Sequence, residues 1–139
     1  MGTEYIAISG GFDPLHSGHL DYIEAASKYG KIIVFLNSDE WLVRKKGYVF
    51  MKWATRARIL KKFPEIEYVI LAKDDSGSVC ESLEEYRHQI KYFGNGGDRH
   101  SENTPEETIC RLYGIKNLYG LGGSKTDSSS DLVRNVQKI

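Results

Sequence analysis

Apolar positions along this chain follow two rhythms that alternate from one end to the other. Short apolar runs recur at Tyr5-Ile6-Ala7-Ile8, Ile32-Ile33-Val34-Phe35-Leu36, Tyr68-Val69-Ile70-Leu71-Ala72, Lys91-Tyr92-Phe93 and Asn117-Leu118-Tyr119-Gly120-Leu121. Runs this short, rich in β-branched and aromatic residues, predict strands. The second is apolar throughout, so both its faces are expected to be covered. Between the runs the spacing turns helical. Leu20, Ile23 and Ala26-Ser27 predict a helix over 18–29 that faces a sheet, with Gly30 as its C-cap. A short helix over 39–43 leads into a basic loop at Arg44-Lys45-Lys46-Gly47, and further helices are expected over 52–63 and 82–90. Asp74-Asp75-Ser76-Gly77-Ser78 is polar and contains glycine, as loops do. Thr104-Pro105-Glu106-Glu107 carries an N-cap hydroxyl, a proline at the first helical position and a glutamate three residues on. That helix should end near Gly114, and a closing helix is expected over 130–138.

Strand and helix signals that alternate in this way predict an α/β fold with a parallel sheet. Neither an internal repeat nor a linker interrupts them, so residues 1–139 are expected to form a single Rossmann-like domain. It should hold about five parallel strands with helices on both faces, and a ligand at the strands' carboxyl ends. A chain of 139 residues can bury about two-thirds of its unfolded surface around one core, without a metal or disulfide.

Charge narrows the function classes. Nineteen Lys and Arg balance nineteen Asp and Glu, which leaves no footprint for nucleic acid or an anionic membrane. Two isolated cysteines are expected to be reduced thiols in a cytosolic setting. The N-terminus lacks the charged and apolar regions of a signal peptide, and Gly2 lacks the pattern for myristoylation. No apolar run is long enough to cross a bilayer. The expectation is a soluble, cytoplasmic protein.

The chemistry concentrates just after the first strand, in Gly10-Gly11-Phe12-Asp13-Pro14-Leu15-His16-Ser17-Gly18-His19. Paired glycines allow a sharp turn and close approach. His16 and His19, three apart at a helix start, share one face beside free N–H groups and the positive end of the dipole. That combination suits a polyphosphate. Two other readings compete with it. The histidines could be a metal pair, but a structural zinc site wants about four ligands. Only His88, His100 and the isolated Cys80 and Cys110 remain to supply them. Either imidazole could also be an ordinary structural residue.

The segment closely resembles the G-x-F-D-x-x-H-x-G-H signature of the cytidylyltransferase-like nucleotidylyltransferases. That superfamily includes glycerol-3-phosphate cytidylyltransferases, heptose-phosphate adenylyltransferases and archaeal FAD synthetases. The resemblance implies transfer of a nucleoside monophosphate from a nucleoside triphosphate to a small phosphorylated metabolite, with release of pyrophosphate. His16 and His19 would donate hydrogen bonds to the reacting phosphate. Gly10, Gly11, Phe12, Asp13 and Gly18 would cradle the nucleotide. Lys45 and Lys46 match lysines of a mobile loop that reach the triphosphate, although an ordinary solvated charge cluster competes with that role. Arg56 falls where an arginine often opens the corresponding helix, with Arg58 as a competitor and a surface role as the bland alternative. Gly97-Asp98, in the glycine-rich turn Gly94-Asn95-Gly96-Gly97-Asp98-Arg99, matches a Gly-Asp that helps to enclose the nucleotide, and Arg99 would add charge toward the acceptor phosphate. Near the C-terminus, Ser128, Ser129, Ser130 and Arg134 resemble the second signature, I-S-S-T-x-x-x-R, which binds the β- and γ-phosphates.

Two departures stand out. Asp127 replaces an apolar residue, and Gly123 stands where many cytidylyltransferases carry an arginine, with Lys125 two positions on as its substitute. Magnesium is expected to accompany the triphosphate, held by substrate and water rather than by a protein cage. The resemblance favours CTP over ATP, because the length and single-domain layout are similar to those of the small cytidylyltransferases, with an ATP-using adenylyltransferase as the alternative. Members of the group are often homodimers, and a homodimer is carried from the resemblance alone. The segment 74–86 and the aromatics Tyr48, Phe50, Trp53, Tyr92 and Tyr113 could line an acceptor pocket or pack a core or dimer. The altered Asp127 and Gly123 also support a rival of another class, a catalytically silent nucleotide-binding or assembly module.

Overall fold

The computed structural model describes residues 4–96 and 104–123. Ten elements run in the order β1 (Tyr5–Gly10), α1 (Ser17–Ser27), β2 (Lys31–Leu36), α2 (Asp39–Lys46), α3 (Trp53–Leu60), β3 (Ile66–Leu71), α4 (Cys80–Glu85), β4 (Ile90–Gly96), α5 (Pro105–Tyr113) and β5 (Lys116–Leu121). The strands form one sheet in the order β3-β2-β1-β4-β5. Every pairing is parallel, as the near-continuous apolar runs required. The chain winds outward from β1 in both directions, so the order reverses between β1 and β4, the place where such sheets open a crevice.

Alternation along each strand sorts the core into two layers. Ile6, Ile8, Ile32, Val34 and Leu36 pack against Ile23 and Ala26 of α1 and Ala57 and Leu60 of α3. Ala7, Ile33 and Phe35 point the other way, against Leu83 of α4 and Cys110 of α5. The two faces are therefore chemically separate, and an open site at the strand ends is walled by α1 on one side and by α4 and α5 on the other.

Several expected boundaries move. Lys45 and Lys46 lie on the last turn of α2, not in a loop, because the helix runs on to a left-handed Gly47 cap. Ile90 belongs to β4 rather than to the preceding helix, since it is 5% exposed and packs in the core under α4 and α5. Gly94-Asn95-Gly96 continue β4 instead of forming a turn, because Gly94 and Gly96 pair with Leu118 and Leu121 of β5. Lys28, not Gly30, caps α1. The start of α5 follows the sequence closely, with Thr104 Oγ1 accepting from Glu107 N at 3.1 Å and Pro105 opening the helix. The expected closing helix over 130–138 lies outside the described residues. No described helix is long and apolar enough to cross a membrane.

Candidate active site

The turn after β1 is held from beneath. Asp13 is fully buried, and its carboxylate accepts the backbone N–H groups of Phe50 at 2.7 Å and Met51 at 2.6 Å. Arg56 is also buried, at 1% exposure, and its guanidinium donates to Met51 O, Gly11 O and Asn37 O at 2.8 Å each and to Asp39 at 2.6 Å. A guanidinium offers five N–H donors in a rigid fork, so one side chain can tie together the carbonyls of segments that nothing local would join. Between these two anchors Phe12 adopts φ +49°, uncommon for a residue with a side chain, and its ring packs 4.7 Å from that of His19. Asp13 and Arg56, expected to contact ligands, form a bracket that shapes the turn from beneath.

His16 is the N-cap of α1. Its Nδ1 accepts the N–H of Gly18 at 3.1 Å, and the N–H of His16 itself donates to Nδ1 of His19 at 3.2 Å. A neutral imidazole with Nδ1 as acceptor carries its proton on Nε2. Both rings are thereby set as Nε2–H donors, stacked with centroids 3.9 Å apart. The glycine between them is required by contact: a Cβ at Gly18 would lie 2.9 Å from the His16 ring. Its absence lets the first imidazole fold back over the helix end.

The rings open onto a cavity of about 250 Å³ at the carboxyl ends of the strands. On the α1 side it is lined by Gly10, Phe12, His16, Gly18, His19 and Tyr22, together with Leu121, Gly122 and Gly123 after β5. Tyr22 ties α1 to β4 by donating to Gly94 O at 2.5 Å. Gly122, at φ +86°, sits where a Cβ would lie 2.9 Å from the backbone N of Tyr22, so the β5 end can approach α1 only as glycine. Asn37 and Asn95 line the middle. Asn37 donates to Asp74 at 3.0 Å, and Asp74 also accepts the N–H and hydroxyl of Ser38 at 2.8 Å, which fixes the start of α2. The far side is lined by Trp41, Gly77, Ser78, Val79 and Glu106.

Of the expected lysines, Lys46 Nζ is 3.5 Å from the backbone oxygen of Asp13, and Lys45 Nζ lies 5.7 Å from the Trp41 ring centre. Lys46 thus lies beside the turn, and neither lysine lines the cavity. Gly123, the arginine position of the resembled group, does line it. Gly97, Asp98, Arg99, Lys125, Asp127, Ser128, Ser129, Ser130 and Arg134 lie outside the described residues. Among the described residues no three His, Cys, Asp or Glu side chains converge as a metal cage. Ser78 falls in the segment 74–86 and Asn95 in the glycine-rich stretch that the sequence had marked as possible lining, whereas Tyr22, Asn37, Trp41 and Glu106 were not anticipated as site residues. Only Tyr22 left a trace, three positions after His19 on the same helical face.

A family model described as cytidylyltransferase-like matches residues 7–123. The bifunctional protein HldE of Geobacter metallireducens is 32% identical over 117 residues, covering 81% of this chain and 23% of that protein. Its namesake from Syntrophotalea carbinolica is 31% identical over 116 residues, with the same coverage of 81% and 23%. The chain thus spans about a quarter of the length of these relatives. In fold it is similar to a lipopolysaccharide core biosynthesis protein from Thermoplasma volcanium, with a TM-score of 0.72 at 22% identity over 91% of this chain and all of that one.

Proposed function

The chain belongs to the cytidylyltransferase-like family, and from that membership we propose that it transfers a nucleoside monophosphate, AMP ahead of CMP, from a nucleoside triphosphate to a small phosphorylated acceptor. The observation that carries this reading is the pair of imidazoles held by backbone N–H groups at Nδ1, with both Nε2–H donors at one helix N-terminus. Binding alone needs no such fixed pair. Transfer does, because negative charge grows on the α-phosphate and its bridging oxygen as the bond breaks.

An acceptor phosphate oxygen attacks the α-phosphorus in line, the bond to the bridging oxygen breaks, and pyrophosphate departs with the electron pair. The acceptor is already ionised at neutral pH, so no general base is required and positioning supplies the catalysis. His16 and His19 donate to the oxygens that gain charge. The N-terminus of α1 faces the phosphates. Lys45 and Lys46, on the last turn of α2 with Lys46 near the backbone oxygen of Asp13, would meet the departing phosphates. Magnesium, if carried in by the triphosphate, would supply charge neutralisation on the substrate's own oxygens.

The donor base moves from the CTP expected of the sequence to ATP. Heptose-phosphate adenylyltransferases are among the groups the first signature resembles, and the curated relatives reported above carry the HldE name. The test is pyrophosphate release with magnesium, crossing ATP, CTP, GTP and UTP with sugar phosphates, glycerol 3-phosphate and phosphorylated amino alcohols. Release that requires both ATP and a sugar phosphate is the expected result. Release with CTP alone would restore the cytidylyl reading. Tight nucleotide binding without acceptor-dependent release would overturn the enzyme in favour of a silent binding module.

A further inference from the structure

The far side of the cavity holds a carboxylate that the transfer chemistry does not use. Glu106 is 9% exposed, and one of its oxygens accepts a single hydrogen bond, from the N–H of Val79 at 3.3 Å. Its other oxygen has no hydrogen bond and no cation within ion-pair range among the described residues. No deeply buried side-chain oxygen among those residues lacks a partner, so this one reaches the open space of the cavity that Glu106 lines. A carboxylate can accept about four hydrogen bonds, and one held largely out of water is stabilised when donors are brought to it. The site is therefore short of donors.

The surroundings narrow what those donors are. A carboxylate repels phosphates, so Glu106 is suited to the part of a ligand farthest from the transferred group. It stands on the α4–α5 side of the sheet, across the cavity from the N-terminus of α1. The same far side of the cavity is lined by Ser78, the residue before Val79, and by the indole of Trp41. A two-oxygen acceptor, a hydroxyl and an aromatic plate match neighbouring hydroxyls and the C–H face of a sugar ring better than they match a metal ion. We propose that this side of the cavity is the acceptor subsite, and that Glu106 selects a polyhydroxylated phosphate ester by accepting hydrogen bonds from adjacent hydroxyls. The word acceptor rests on the nucleotidyl-transfer reading; the need of Glu106 for donors does not.

The test is calorimetric binding of mannose 1-phosphate and of methyl phosphate, which lacks hydroxyls, to the protein saturated with α,β-methylene ATP. Wild type should bind the sugar phosphate about tenfold more tightly than methyl phosphate, the scale of hydrogen bonds to a charged acceptor. Glu106→Gln, which keeps an oxygen for Val79, and Glu106→Ala should both erase that preference. Affinity for the ATP analogue should stay within about twofold in each, which also shows that the variants fold. A preference that persists in Glu106→Ala overturns the proposal, as does equal binding of the two probes by wild type. A fall in analogue affinity overturns it too, by assigning the carboxylate to the nucleotide. If the analogue binds neither wild type nor variant, nucleotidyl transfer is the reading that fails, and the two probes titrated without it still decide Glu106.

Discussion

The backbone N–H of His16 donates to Nδ1 of His19 at 3.2 Å, so the first histidine of the motif fixes the ring of the second. Nδ1 of His16 is fixed in turn by the N–H of Gly18 at 3.1 Å. Each imidazole has two nitrogens with different tasks: Nδ1 closes the first turn of α1, while Nε2 is the donor proposed for the reacting phosphate. Helix capping and the proposed catalysis are therefore separable by substitution.

Asparagine can place an acceptor near the Nδ1 position but offers nothing at Nε2. His16→Asn is expected to keep stability within about 0.5 kcal/mol of wild type, since Asn is among the best N-caps. Its turnover should fall by about two to three orders of magnitude, the scale of a lost transition-state donor. His16→Gln reverses the pattern, losing about 1 kcal/mol of cap while keeping a donor near Nε2. Thermal melts and initial rates on the two variants separate the roles, and parallel losses of rate and stability in both would count against the division.

Arg56 illustrates how a buried cation differs from a substrate clamp. Its side chain is fully buried, and Asp39, its ion-pair partner, is one-third exposed. Arg56→Lys leaves the carbonyls of Gly11, Asn37 and Met51 short of donors and should cost about 3–5 kcal/mol. At a temperature where the variant remains folded, KM for the nucleotide should change by less than about threefold, because the lost contacts are all internal. A large rise in KM with an unchanged melting temperature would instead put the guanidinium on substrate.

Burial pushes the Cys110 thiol up to about 12, and the nearby Cys80, Glu106 and Glu107 add to the shift. An unfolded thiol titrates near 8.5, so the folded state holds its proton more tightly than the unfolded one. The contribution of the neutral thiol to stability is complete below that value and declines as pH rises from it toward about 12. Melting temperature is expected to fall between about pH 8.5 and 10.5, and to fall less steeply in Cys110→Ala. Equal slopes in the two proteins would dismiss the thiol as the cause. Cys80 is likewise raised by burial, so alkylation of either thiol at neutral pH should be slow until the chain unfolds.

Much of the sheet was legible because its signals are local. Ile32 to Leu36 is apolar at every position and became the strand with both faces covered. Thr104-Pro105 started α5 where it stands, since a capping hydroxyl and a preset φ act within one turn. Boundaries slipped where a longer-range partner outweighed local preference. Gly94-Asn95-Gly96 looks like a turn on composition, yet β5 alongside it makes it strand, with Asn95 donating to Leu118 O at 2.8 Å.

The sequence by itself determined the alternation of strands and helices, the parallel sheet and the position of the two histidines at a helix start. Each depends on spacing within a few residues. Tertiary structure alone decided what the long polar side chains do. Arg56 meets Gly11, forty-five positions away, and Glu106 meets Val79, twenty-seven positions away. The partner of a charged side chain is set by which segments the sheet order brings together, and that order, β3-β2-β1-β4-β5, is a property of the whole chain's packing. For that reason the sequence could not show that Arg56 joins the segments beneath the turn, or that a glutamate that read as a helix start lines the cavity.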